Sequence, residues 1–214
     1  MKHLICISIL ALNTLFSITA NAQDFFDDLE IYATEHLPQD VDADDFVTIM
    51  ARAWGAKPRV GNSGSLLHRK FDEVFPSGLT LGTGDNIILF TNANAITQFL
   101  PSAGKEAALT QTYIDPASLE LKNSFISELA ALVLTVEFDT KIEDFASSPH
   151  RLGDCKVISG IFAGMKVDKL IQICHRAISG ENVGYPIRAL YRMTSVLNYQ
   201  FVPGSFAEPI ITIK

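Results

Sequence analysis

Residues 121–138 (LKNSFISELAALVLTVEF) constrain the fold more than any other stretch of this chain. From Leu129 to Val136 every residue is apolar except Thr135. Phe125, Leu129, Leu132 and Val136 recur at helical spacing, with Ile126, Ala130 and Val133 on the adjoining face. A helix that is apolar almost all round belongs in a core rather than on a surface. The run is shorter than the ~20 residues needed to cross a bilayer, and Glu128 and Glu137 bracket it. The expectation is a soluble domain wrapped around a buried central helix. Periodicity alone does not separate a helix from a buried strand here, because LVLTVEF is also β-prone.

The N-terminus has the form of a secretory leader over residues 1–22. Lys2 and His3 precede an apolar stretch over residues 4–16, and Ala20, Asn21 and Ala22 form an A-x-A cleavage site before Gln23. A periplasmic or secreted protein is therefore expected. Cleavage removes Lys2 and no acidic residue, so the formal charge of −7 becomes −8 in the mature chain. Such an acid balance disfavours nucleic acid, whose affinity comes from Lys and Arg neutralising phosphates. The mature chain has no transmembrane segment by hydropathy and no polybasic stretch for anionic lipid.

Cleavage also removes Cys6 and leaves Cys155 and Cys174. Two cysteines in an oxidising compartment point to one disulfide, Cys155–Cys174, worth about 3 kcal/mol on the chain-entropy view. Two buried thiols are the alternative. Four ligands make a structural zinc site, and two cysteines fall short. His36, His68, His150 and His175 remain after export, and none pairs with a second His or Cys at metal spacing.

Residues 23–52 form an acidic arm in which no Lys or Arg precedes Arg52. Within it Asp40, Asp42 and Asp44 have the 1, 3, 5 spacing of a calcium loop. Position 6, normally glycine, is Asp45, and position 12, normally glutamate, is Ala51. An acidic helix start is favoured over calcium, with a helix over residues 45–53. No other cofactor is indicated.

The domain proper is read as residues 53–214. A loop over residues 55–65 leads to a helix over 66–75, capped by Ser65. A hairpin of residues 79–82 and 86–91 follows, then a short helix over 93–100. After the central helix, residues 155–159 are a strand candidate, 167–179 an amphipathic helix ended by Gly180, and 186–201 a helix opened by Pro186. Residues 210–213 add a terminal strand. The sum is an α+β fold, helix-dominant, with four to five helices around the central one and a small antiparallel sheet.

Few constellations carry chemistry. No G-x-S-x-G elbow is present, and the glycines at 82 and 84 serve a hairpin turn rather than a phosphate loop. Glu128 and Glu137 fall on different faces of one helix and read as solubilising flanks. Trp54, the one tryptophan, precedes a loop and is a candidate contact for carbohydrate or protein. Packing at the domain edge is the commoner fate of such a residue.

A set of motifs is shared with a known kind of protein. They are Trp54-Gly55, Gly64 through Leu67-His68, and the run FPSGLTLG at 75–82. AITQFLP at 95–101, AALT at 107–110, residues 129–138, Leu152-Gly153-Asp154, residues 160–165 and residues 198–204 continue the series. Over about 54–204 the chain resembles a module of exported and cell-surface proteins of Bacteroidetes and other Gram-negative bacteria. The resemblance implies export and a role at the cell exterior, and it implies no activity, cofactor or catalytic residue. The acidic arm and the cysteines at 155 and 174 depart from its pattern.

The functional expectation is an exported non-enzymatic domain that binds a protein or polysaccharide of the cell envelope or contributes to a surface assembly. The alternatives are an extracellular hydrolase acting on a polymer and a calcium-stabilised structural module.

Overall fold

The central helix begins at Ser124 because Asn123 caps it. The Asn123 side-chain oxygen accepts from the amides of Phe125 and Ile126 at 3.1 and 3.2 Å, two donors that the first helical turn cannot satisfy internally. In a computed structural model that describes residues 45–202 and 210–213, this helix runs Ser124–Lys141. It lies about three residues later than its apolar run suggests at both ends, since the cap and not the hydropathy sets its start. Phe125, Ile126, Leu129, Leu132, Leu134 and Phe138 are all fully buried. Each such side chain contributes about 1.5–3 kcal/mol by leaving water.

The described elements in chain order are α1 (Ala51–Trp54), α2 (Ser63–Val74), β1 (Leu79–Thr83), β2 (Asn86–Phe90), α3 (Ala93–Phe99) and β3 (Tyr113–Ile114). After them come α4 (Ser124–Lys141), β4 (Lys156–Val157), α5 (Val167–Ile178), α6 (Ile187–Gln200) and β5 (Ile211–Thr212). The fold is α+β and helix-dominant, with six helices among the described residues. The helix α4 packs against α1, α2, α5 and α6. The main sheet is mixed: β1 and β2 form the hairpin, and β3 adds parallel to β2. That third strand, two residues long, carries too little pattern to be read from sequence. A second, two-stranded sheet pairs β4 with β5.

Local chemistry moves several other boundaries. Asn62, rather than Ser65, caps α2: its side chain accepts from the Ser65 amide at 2.8 Å. The helix expected over residues 45–53 is reduced to Ala51–Trp54. Ahead of it the chain is extended and pairs with the end of α6, where the Phe201 amide donates to Thr48 Oγ1 at 2.9 Å. Phe46 packs against Phe201 with the rings tilted and their centroids 5.4 Å apart. The leader, the arm up to Asp44 and the calcium candidates Asp40, Asp42 and Asp44 lie outside the described residues.

The disulfide expectation is overturned. Cys155 and Cys174 are both buried and no disulfide joins them. Cys155 follows the 3-10 turn Leu152–Asp154 and its thiol donates to the Arg151 carbonyl at 3.6 Å. Cys174 sits on the inner face of α5, and burial among apolar groups pushes its thiol well above its ordinary pKa. Such a thiol behaves as a small core hydrophobe.

Trp54 is 0% exposed, its indole against Phe138 with centroids 4.9 Å apart. Its ring N–H donates to Thr135 Oγ1 at 3.2 Å, so the one hydroxyl in the apolar run is the acceptor for the one tryptophan. Both partners are buried, and orphaning either leaves an unsatisfied polar atom costing about 1–3 kcal/mol. We expect Thr135→Val and Trp54→Phe each to destabilise the protein. The double variant should cost less than the two single losses added together, by about 1 kcal/mol. Urea denaturation of the four proteins measures this coupling, and strict additivity would show that the bond contributes nothing.

Candidate functional site

A groove of about 250 Å³ opens where α4, α5 and the hairpin meet. Its floor is the C-terminal half of α4, through Val133, Val136 and Glu137, which share one face at i, i+3 and i+4. One wall is α5, which presents Asp168, Ile171 and His175. The opposite wall is Phe75, Leu79 and Thr80, at the start of β1.

The groove is closed at one end because α5 is sealed to the hairpin there. The Gly82 amide donates to His175 Nδ1 at 2.9 Å and the Thr83 amide to Ser179 Oγ at 2.7 Å, while Ser179 Oγ donates to the Asn86 carbonyl at 2.8 Å. Gly82 permits the approach. Its φ is +100°, and a Cβ there would lie 2.7 Å from the Asn86 carbonyl oxygen and 2.8 Å from Ser179 Oγ. Since the Gly82 N–H is a fixed donor, His175 Nδ1 must carry the lone pair, which leaves the proton of the neutral ring on Nε2. Burial lowers the pKa of His175 below its usual value.

Asp168 stands at the other end. Burial raises its pKa and Arg151 opposes the rise, while Asp154 and Glu137 add to it. Arg151 approaches Asp168 at only 3.6 Å and Asp154 at 3.8 Å, both beyond hydrogen-bond length, and gives its Nε–H to Thr140 Oγ1 at 3.1 Å. Gly153 lies directly beneath Asp168, where a Cβ would overlap the carboxylate. The turn that carries Gly153 and Asp154 is held to α4, because Asp139 accepts from the Leu152 amide at 2.7 Å. Glu137 pairs with Lys141 at 2.8 Å. That lysine also donates to the Val74 carbonyl at 2.8 Å and lies 5.5 Å from the centroid of the Phe75 ring.

The arrangement offers two carboxylates, one imidazole N–H and one threonine hydroxyl beside an apolar floor. It can hold a cationic or hydrogen-bond-donating group next to an aliphatic one. Among the described residues no three of His, Cys, Asp and Glu are grouped to hold a metal ion, and no helix is long and apolar enough to cross a membrane.

The residues singled out by sequence fall elsewhere. Trp54 is enclosed in the core and offers no surface to a ligand. His68 is exposed and hydrogen-bonded to Thr97 Oγ1 at 2.9 Å. Glu128 is no solubilising flank: it turns inward, accepts from Asn198 Nδ2 at 2.7 Å, and burial raises its pKa. Glu137 alone of that pair reaches the groove. Asp168 and Thr80 are not singled out by the sequence, and His175 is weighed there only as a metal ligand, although the i, i+3, i+7 spacing of Asp168, Ile171 and His175 places them on one helical face.

The depressed pKa of His175 has a consequence for stability. Above pH ~6.5 the ring is neutral in the folded and unfolded chain alike, and its contribution is complete. Below that value the unfolded chain binds the proton first, so stability falls until the folded ring titrates too. Thermal melts from pH 7.5 to 5 should show this fall, and His175→Asn, which keeps an acceptor for Gly82, should flatten it. An imidazole NMR titration with a midpoint at or above 6.5 would contradict the assignment.

No family model, no curated protein and no solved structure matches the chain.

Proposed function

We propose that this protein is an exported binding module, acting in the periplasm or outside the cell, whose groove holds a cationic, partly aliphatic group of an envelope protein or polysaccharide. One observation carries the reading. Glu137 and Asp168 line the same groove as Val133, Val136 and Ile171, while Lys141 and Arg151 stay outside the lining. A positive group entering there meets two carboxylates and covers Ile171, the half-buried apolar residue of the lining. The committed Nδ1 of His175 suits holding better than proton relay, because that nitrogen is occupied by the Gly82 amide. The resemblance to exported modules points the same way.

A polymer hydrolase is the second reading, and it is favoured by the raised pKa of Asp168 in a groove that also contains Glu137. Two carboxylates in unlike environments are how glycoside hydrolysis divides acid from base.

The methyl signals of Val133, Val136 and Ile171 in NMR spectra separate these ideas. Titration with n-pentylamine should shift them, and n-pentanol should do so with about tenfold lower affinity, the difference that ~1.4 kcal/mol of charge interaction makes. Asp168→Asn and Glu137→Gln should each weaken the amine and leave the alcohol unaffected. Equal binding of amine and alcohol would remove the electrostatic basis of the proposal. Release of reducing ends from an envelope polysaccharide, abolished by Asp168→Asn, would establish the hydrolase instead.

A further inference from the structure

From the open edge of β1 we infer that the groove receives a short extended peptide as an added strand, with a lysine or arginine side chain of that peptide set against Glu137 and Asp168. This rests on the binding reading above and specifies its ligand.

The register of the hairpin shows which backbone groups are available. Thr83 faces Asn86 across the two-residue loop, so Leu81↔Ile88 exchange hydrogen bonds while Gly82↔Ile87 and Thr80↔Leu89 do not. The amide and carbonyl of Gly82 and Thr80 therefore point away from β2. The structure bears this out at both strands: the Gly82 amide goes outward to His175, and the Leu89 carbonyl goes the opposite way to the Asp115 amide. At Thr80 the outward amide and carbonyl meet no partner among the described residues. An unpaired strand edge of this kind is a template for another chain.

What lies beyond that edge is the groove. The wall facing β1 is α5, bonded to the strand at His175 and lining the groove with Thr80 two turns earlier at Asp168. A strand edge facing a helix across an apolar floor is a setting for strand addition, where main-chain bonds supply affinity and side-chain pockets supply selectivity. The reach is short. The Gly78 amide is taken by the Phe75 carbonyl at 2.9 Å and the Gly82 amide by His175 at 2.9 Å, so one residue, Thr80, offers both of its groups. The guest makes two main-chain bonds there, and a volume of about 250 Å³ accommodates one long side chain over the floor. Charge selects that side chain. Glu137 and Asp168 line the groove, no Lys or Arg is among the described residues that line it, and the aliphatic stem of a lysine or arginine lies against Ile171 above the buried Val133 and Val136.

The test uses capped pentapeptides of alternating valine and threonine with lysine at the centre. The same peptide with central glutamate is one control, and two lysine peptides N-methylated on alternate backbone amides are others. Oligomers of glucosamine represent a cationic polysaccharide. The lysine peptide should slow hydrogen exchange of the Thr80 amide and shift the Val133 and Ile171 methyls. Central glutamate should bind about tenfold more weakly or worse, and so should one of the two N-methyl patterns, the one facing β1. Asp168→Asn and Glu137→Gln should each reduce lysine peptide affinity. Equal affinity for all N-methylated forms, or unchanged exchange at Thr80, would overturn strand addition. Glucosamine oligomers or n-pentylamine shifting the groove while no peptide protects Thr80 would also overturn it, leaving the binding reading intact. If none of these probes touches the groove, both proposals fall.

Discussion

A helix with apolar residues on every side has to be covered on every side, and the architecture follows from meeting that demand on α4. With α1, α2, α5 and α6 all laid against it, the chain removes from water a segment that no single partner could enclose. The polar residues within it then need partners of their own. Thr135 takes the indole N–H of Trp54, Ser127 accepts the Ser102 amide at 3.0 Å, and Glu128 is met by Asn198. Each of these bonds ties α4 to a segment distant in sequence. The polar exceptions therefore fix which element covers which face, a choice the apolar contacts alone would leave degenerate.

The groove lies where the cover is incomplete. Along the C-terminal half of α4, α5 is held to the hairpin at one end by His175 and Ser179 and to the turn at Gly153 at the other. Between these points a gap remains beside Thr80 and Ile171, while Val133 and Val136 beneath it are only 6% and 2% exposed. Filling the gap would take a longer β1 edge or a bulkier residue at 80. Instead the sequence places there a threonine, a histidine and two carboxylates. Groups of that kind are costly to enclose without partners, and they are tolerated because the gap stays open to water.

How much of this was legible in the sequence depends on the range of the interaction responsible. The buried helix, the hairpin at Gly84-Asp85 and the amphipathic α5 announce themselves through local periodicity and turn residues, and the structure contains all three. Helix starts were misplaced where an asparagine cap, Asn62 or Asn123, outweighed hydropathy. The disulfide was misread because compartment and count say nothing of geometry: Cys155 closes a 3-10 turn while Cys174 faces the core from α5. The groove was invisible for a related reason. Its residues come from three elements separated by tens of positions, and only the spacing of Asp168, Ile171 and His175 hinted that one face of α5 was mixed in character. Glu137 was visible but ambiguous, since a charged residue ending an apolar run reads equally as a solvated flank.

The electrostatics of the groove depend on how firmly its carboxylates are already held. Lys141 is spent on three partners at once, the Glu137 carboxylate, the Val74 carbonyl and the Phe75 ring, and it stays outside the groove lining. Arg151 is divided in a different sense: its one close bond goes to Thr140, and its contacts with Asp154 and Asp168 are long. Asp168 is consequently the less compensated acid: burial raises its pKa, and Arg151 and Lys166 only partly oppose the rise. A guest cation of the kind proposed would displace only the 3.6 Å approach of Arg151. It would offset burial, the main cause of the raised pKa of this acid, so the proposed ligand would act where the structure satisfies its own carboxylate least.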